Sequence, residues 1–319
     1  MFIGTLFRRY PLEIILVILF VGLCFAAPGF FTVNNQLNVL RNITMQGIIA
    51  FGMTMVIVSG EIDLSVGSGV AFAGCLTAWI TEFLGNLIGL PAAIAIACMI
   101  AIVVLFCLGY TTGKIRQVFN VPTFITTLAM LTVLFGAANL ITGGFPITSF
   151  PYWYNFLGSG TVAGIPFPVF IFAAVFGLVY FLMNYTKFGR SLYAVGGNLE
   201  AARLSGINVW RVKCLALGLT GVFTAISGIL ISSLILSGSA SAARGWELDI
   251  ISAVIIGGTS LFGGKGRIWG TLIGVLFLGI IVNGMTLLNV SEYWQYVVRG
   301  GLILGAVLLN QLIERLHED

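Results

Sequence analysis

Charge is what this sequence has least of. Asp, Glu, Lys and Arg make up 8% of its 319 residues, where soluble domains carry about a quarter, and that shortage excludes an ordinary water-soluble fold. The net balance of +4 comes with no basic stripe able to follow a nucleic-acid backbone. Histidine occurs once, at position 317, so neither a histidine-based metal centre nor a Ser/His or Cys/His nucleophile system is available. Cys24, Cys75, Cys98, Cys107 and Cys214 show no CxxC spacing and lie in or beside apolar runs, where a thiol acts as a small buried hydrophobe. A GxxxxGK[ST] phosphate loop is missing, because the glycine-rich GGTSLFGGKGR at 257–267 has no Ser or Thr after its lysine. The two-residue alternation that a membrane barrel requires is missing as well.

What is present is apolar length. Hydrophobic residues make up 59% of the chain, the mean hydropathy is +1.07, and the apolar runs recur at about 20 residues, the span of a bilayer-crossing helix. The expected fold is an all-α membrane protein forming a single transmembrane domain over 1–319. Ten transmembrane helices are expected, at 12–31, 38–59, 67–84, 87–110, 121–142, 166–183, 214–236, 248–263, 269–289 and 293–312. The first run follows Arg8 and Arg9 but lacks a small-residue cleavage site, and reads as a retained helix rather than a signal peptide. With the N-terminus in the cytoplasm, Arg8, Arg9, Lys114, Arg116, the segment 187–213, Lys265, Arg267 and Arg315 all fall inside, and only Arg41 and Arg244 fall outside. The positive-inside rule thus favours an even number of spans with both termini cytoplasmic.

Two connections interrupt the apolar pattern with Gly, Ser and charge: SGEIDLSVGSG at 59–69 and GGTSLFGGKGRIWG at 257–270. Paired broken or re-entrant segments in two halves of a transporter mark a solute pathway, because unwound backbone at depth must be buried in protein or line a wet cavity. The plainer alternative is a pair of tight cytoplasmic turns. Two internal matches compete: 56–67 with 254–264 pairs segments of like orientation, and 120–136 with 289–305 pairs segments of opposite orientation. Two pseudo-symmetric five-helix halves are compatible with the sequence but not demonstrated by it.

The one long polar island is 187–213. Within it, 198–206 has the parts of a complete small helix: Asn198 as N-cap, Glu200 in the first turn, Arg203 toward the far end and Gly206 as stop.

Glu61 and Asp63 are the most conspicuous acids near the spans, and a charge at the bilayer centre costs about 2.5–3.5 kcal/mol on insertion scales. They read either as a cation site or, preferred here, as local structure, with Asp63 and Ser65 capping the helix that starts near Val66. Arg299, inside the last span, is expected to snorkel outward. Thr123, Thr126 and Thr127, Gly218 and Gly221, and Gly279 and Asn283 suit close helix packing; Thr127 and Asn283 are also candidate pathway residues, together with Glu61, Asp63 and Ser65.

Three long stretches, VIVSGEIDLSVGS at 56–68, GGNLEAARLSGINVWRVK at 196–213 and GWELDIISAVIIGGTSLFGGKGRIWGTLIGV at 245–275, resemble the permease subunits of ribose-type sugar importers of the ATP-binding cassette class. The resemblance runs from about Phe31 to Leu312. It implies a non-enzymatic membrane subunit in a bacterial inner membrane, paired with a second permease subunit, in the simplest case another copy. It further implies two partner ATPases that bind ATP and Mg, a periplasmic sugar-binding protein, and no cofactor in this chain. It places the cytoplasmic coupling segment on Asn198, Glu200, Ala201, Ala202, Arg203, Leu204, Ser205 and Gly206. One departure is Glu61, where the family often has Gly. The competing class is an ion-coupled secondary transporter that uses Glu61 and Asp63.

Overall fold

The computed structural model describes residues 11–318. Arg8 and Arg9 lie outside them, as do the side chains of Arg315 and His317. The described chain is nearly all helical: α1 Pro11–Ala26, α2 Val33–Val58, α3 Val66–Ile88, α4 Leu90–Phe119, α5 Thr123–Thr142, α6 Phe156–Ser159, α7 Phe167–Tyr185, α8 Lys187–Gly197, α9 Leu199–Leu204, α10 Val209–Ile235, α11 Trp246–Ile256, α12 Ile268–Leu287 and α13 Glu292–Glu318. A two-stranded hairpin, β1 Thr161–Val162 with β2 Ile165–Pro166, is the only sheet among the described residues.

Seven helices, α2, α3, α4, α5, α7, α10 and α12, are long and apolar enough to cross a membrane. Their ends differ from expectation where a specific residue sets them. The second span starts earlier, because the Thr32 hydroxyl accepts the Asn35 amide at 3.4 Å and caps α2. The fourth runs on to Phe119, carrying Lys114 and Arg116 as helical residues until Asn120 turns left-handed at φ 51. The expected span 248–263 is corrected most. Its helix, α11, is only 11 residues long, about 16 Å, or roughly half the hydrocarbon layer. Gly258 at φ +86 stops it, with Gly258 N–H donating to Ile255 O at 2.8 Å and Thr259 N–H to Val254 O at 3.2 Å, a Schellman closure. Residues 257–267 continue without helix, and Thr259 and Ser260 within them are buried.

Helices α2 and α10 form the centre and are the most enclosed of the seven. α10 packs on α2, α3 and α4; α2 packs on α10, α11, α12 and α7; α3 packs on α4 and α5, and α11 on α12 and α13. Lipid supplies no hydrophobic drive for these contacts, so small residues and hydroxyls hold them. Ser227 donates to Met45 O at 2.8 Å between α10 and α2, and the Thr54 and Thr271 hydroxyls meet at 2.7 Å between α2 and α12. Gly218 and Gly221 lie against Phe106 and Leu105 of α4, the close packing expected of them.

Candidate functional site

The polar island folds into two helices and the start of a third. The Thr186 hydroxyl accepts Gly189 N–H at 3.2 Å and starts α8, whose Leu192 and Val195 are buried while Lys187 and Arg190 face out. The small helix α9 follows with the parts read from the sequence. Asn198 Oδ1 accepts Ala201 N–H at 2.9 Å, Glu200 lies in the first turn and Arg203 in the last. Gly206, at φ +79, donates to Arg203 O at 3.1 Å, and Ile207 N–H reaches Ala202 O at 3.1 Å, a second Schellman closure. Of this helix only Ala202 is buried; Glu200, Ala201, Arg203, Ser205 and Gly206 are exposed, and Leu204 is 86% exposed.

The end of α8, from which α9 follows, is seated in a glycine junction. Gly264 N–H donates to Val58 O at 2.9 Å, linking the end of α2 to the 257–267 connection. Gly196, at the end of α8, fits so closely that a Cβ there would lie 1.7 Å from Val58 O. Tyr193 of α8 donates its hydroxyl to Gly266 O at 2.9 Å. Burial raises that phenol above its ordinary value, while Arg267 acts in the lowering direction; the group stays protonated and keeps the bond. Both interrupted connections thus meet beneath α8 and α9.

Beside the junction, Glu61 ties together four parts of the chain. Its Oε1 accepts Lys213 Nζ at 2.6 Å and Arg116 Nη2 at 3.0 Å, and its Oε2 accepts the Thr123 hydroxyl. Lys213 comes from the first part of α10, Arg116 from the last turn of α4, and Thr123 opens α5. Asp63 does not join this cluster. Its Oδ1 accepts the Ser65 amide at 2.9 Å and the Ser65 hydroxyl at 2.6 Å, a local turn before α3. The expected capping is not formed, because Ser65 stands at the N-cap with its hydroxyl turned back to Asp63 and no side-chain bond to the first turn. Thr127 is fully buried and donates to Ile62 O at 3.1 Å and Thr123 O at 3.0 Å, pinning α5 to the same connection.

Asn283 lies elsewhere, about 22 Å along α12 from its start near the junction. It exchanges two 2.9 Å amide bonds with Asn35 of α2. Arg299, expected to snorkel, instead binds Asp249 of α11 at 2.8 Å. A partner close at hand outweighs the reach to the headgroup layer, because a buried charge is retained only when paired.

Sequence reasoning missed α8 as a helix, although Phe188, Leu192 and Val195 stand at helical spacing. It also missed Lys213, Arg116 and Thr123 as partners of Glu61. The available signal was an acid in an apolar chain with cations at the ends of two neighbouring spans.

The family described as "Branched-chain amino acid transport system / permease component" matches residues 35–307. Among relatives, the probable ABC transporter permease protein YphD of Escherichia coli K12 is 41% identical over 316 residues, 98% of this chain and 92% of that protein. The ribose import permease protein RbsC of Bacillus subtilis is 42% identical over 303 residues, 93% of this chain and 90% of that protein. The L-arabinose transport system permease protein AraH of Escherichia coli K12 is 35% identical over 309 residues, 97% and 92% of the two chains. No solved structure matches the chain.

Proposed function

The chain belongs to the family of branched-chain amino acid transport system permease components, and on that premise we propose that it is the membrane subunit of an ATP-driven importer of a monosaccharide. Relatives named for ribose and L-arabinose transport support a sugar as the solute. The observation that carries the mechanism is the exposed, doubly capped α9, joined through the end of α8 to the Val58, Gly196 and Gly264 junction. The partners are a second permease subunit, two ATPases holding ATP and Mg, a periplasmic sugar-binding protein, and the surrounding lipid of a bacterial inner membrane. Asn198, Glu200, Ala201, Ala202, Arg203, Leu204, Ser205 and Gly206 enter a groove of the ATPase. ATP-driven closure pushes α9, and the junction passes the push to α2 and α12, whose tilt alternates access between the two faces.

In this reading the single domain crosses the membrane ten times, α11 with 257–267 forming one broken crossing, and both termini are cytoplasmic. Helices α2–α5 and α10–α13 form an inverted repeat. Support comes from their packing, since α10 lies on α4 and α3 as α2 lies on α12 and α11. Left-handed Asn120 and Asn289, at φ 51 and 55, precede α5 and α13 at the same distance. Glu61-Ile62-Asp63 lies in the chain just before α3, and Glu247-Leu248-Asp249 in the first turn of α11. This favours the 120–136 match with 289–305. The match of 56–67 with 254–264 drops out, because it pairs the α2–α3 connection with the α11–α12 connection, which are not equivalents.

The ion-coupled alternative needs a carboxylate free to take a proton or cation. Glu61 already meets two cations and a hydroxyl, and Asp63 is turned onto Ser65. Uptake in proteoliposomes separates the two: the importer needs internal ATP and the binding protein and survives an uncoupler, whereas uptake by this chain alone, abolished by an uncoupler, would restore the alternative.

A further inference from the structure

At the end of the bundle away from α9, a cavity of about 270 Å³ lies among α2, α10, α11, α12 and α13, with Asn42, Gln46, Trp246, Asp249, Asn283 and Arg299 among its lining. One water needs about 10–15 Å³ by the same measure, so the space admits a molecule of several heavy atoms. At the opposite end, the cavity bordered by Asp63, Ser65, Thr112 and Thr224 measures about 20 Å³ and admits one water. A third cavity, about 190 Å³ and bordered by Gly67, Ser68, Leu131, Phe135, Arg244 and Glu247, lies near the head of α3. The far cavity is the larger of the two that could hold a solute, and it alone is lined by the paired Asp249 and Arg299.

The lining selects the kind of solute. Arg299 Nη1 and Asp249 Oδ2 are paired at 2.8 Å, so the charged groups form a neutral pair, with Gln46 on the same cavity wall. A charged ligand would have to part that pair or bring uncompensated charge, and both cost more than admitting a neutral one. Hydrogen-bonding capacity is left over. Arg299 Nε is buried with no partner among the described residues, and the exposed Asn42 at the cavity's edge adds an amide. A guanidinium only donates and a carboxylate only accepts, while an amide does both. A ligand that uses all three must donate and accept from neighbouring atoms, as adjacent hydroxyls do. Trp246 adds an aromatic surface suited to a ring's C–H face, and Tyr296 lies 5.7 Å from the Arg299 guanidinium, steadying its plane.

We propose that this cavity is a transit site for a neutral monosaccharide on the outer half of the permease, with Arg299, Asp249 and Asn42 binding its hydroxyls. The proposal rests on the importer reading and adds to it a location within one chain.

The test uses the full chain in its assembled importer, with the five native cysteines replaced and Thr286, on the cavity wall, changed by Thr286→Cys. A charged, membrane-impermeant thiol reagent is added outside with D-ribose, L-arabinose or L-leucine. The expected result is that one pentose slows labelling at least fivefold, L-leucine does not, and Asn42→Leu removes the protection. Labelling slowed by neither pentose, or slowed by L-leucine alone, overturns the proposal. Because the cysteine replacements could impair folding, pentose uptake by the Asn42→Leu protein with native cysteines gives a second reading. A tenfold loss at wild-type membrane abundance supports the site, and unchanged uptake overturns it. ATP-driven pentose uptake without protection overturns the cavity alone, while protection without ATP-driven uptake supports the cavity and overturns the importer reading.

Discussion

The Gly264 amide donates to the Val58 carbonyl at 2.9 Å, and this bond joins the two non-helical connections directly beneath α8 and α9. Val58 is the last residue of α2, the most enclosed of the spanning helices, and Gly264 stands shortly before α12. A displacement of α9 carried through the end of α8, where Gly196 abuts Val58 and Gly264, therefore meets the ends of two long packed helices rather than a slack loop. Packed elements of this kind shift between discrete arrangements, which suits a two-state gate.

Gly196→Ala tests that junction. The new Cβ would fall 1.7 Å from Val58 O, and a backbone carbonyl cannot rotate aside as a side chain can. A destabilisation of about 1–3 kcal/mol is expected, read as a lower unfolding midpoint in detergent, together with reduced uptake. Gly197→Ala, where a Cβ meets nothing within 4 Å, is expected to change neither by more than about 0.5 kcal/mol equivalent.

The Glu61 cluster predicts strong coupling between its members. Lys213→Met leaves the carboxylate to Arg116, at 3.0 Å, and is expected to cost up to about 3 kcal/mol, the lower end for breaking a buried pair because one cation stays. Glu61→Gln combined with Lys213→Met is expected to recover at least half of that loss. Additive losses in a double-mutant cycle would show that the pair is not coupled.

Leu204 is 86% exposed at the tip of α9, in a helix that otherwise needs only Ala202 for its own packing. Leu204→Asp is expected to leave the unfolding midpoint of the isolated chain unchanged within about 0.5 kcal/mol equivalent, while co-purification with the ATPase subunits falls at least tenfold. Undiminished co-purification would remove Leu204 from the docking surface.

Local signals carried much of this architecture. Asn198, Glu200, Arg203 and Gly206 specify α9 through capping chemistry that acts within a few residues, and the structure contains that helix with both closures formed. Apolar run lengths located the long helices for the same reason. What could not be read was long-range. The meeting of Glu61 with Lys213, 152 positions away, and of Asp249 with Arg299 depends on which helices become neighbours. The ends of α4 and α11 depended on whether Asn120 and Gly258 adopted a left-handed backbone, which many Asn and Gly residues in loops and helices do not.

The central claim is that work enters through α9, and the most direct measurement is ATP-driven monosaccharide uptake by proteoliposomes carrying the assembled importer with Glu200→Ala or Arg203→Ala. Both side chains are exposed and neither holds the fold. The account predicts at least a fivefold loss of uptake and of binding-protein-stimulated ATP hydrolysis, with normal amounts of permease in the membrane. Wild-type uptake and wild-type ATPase stimulation in both variants would contradict it.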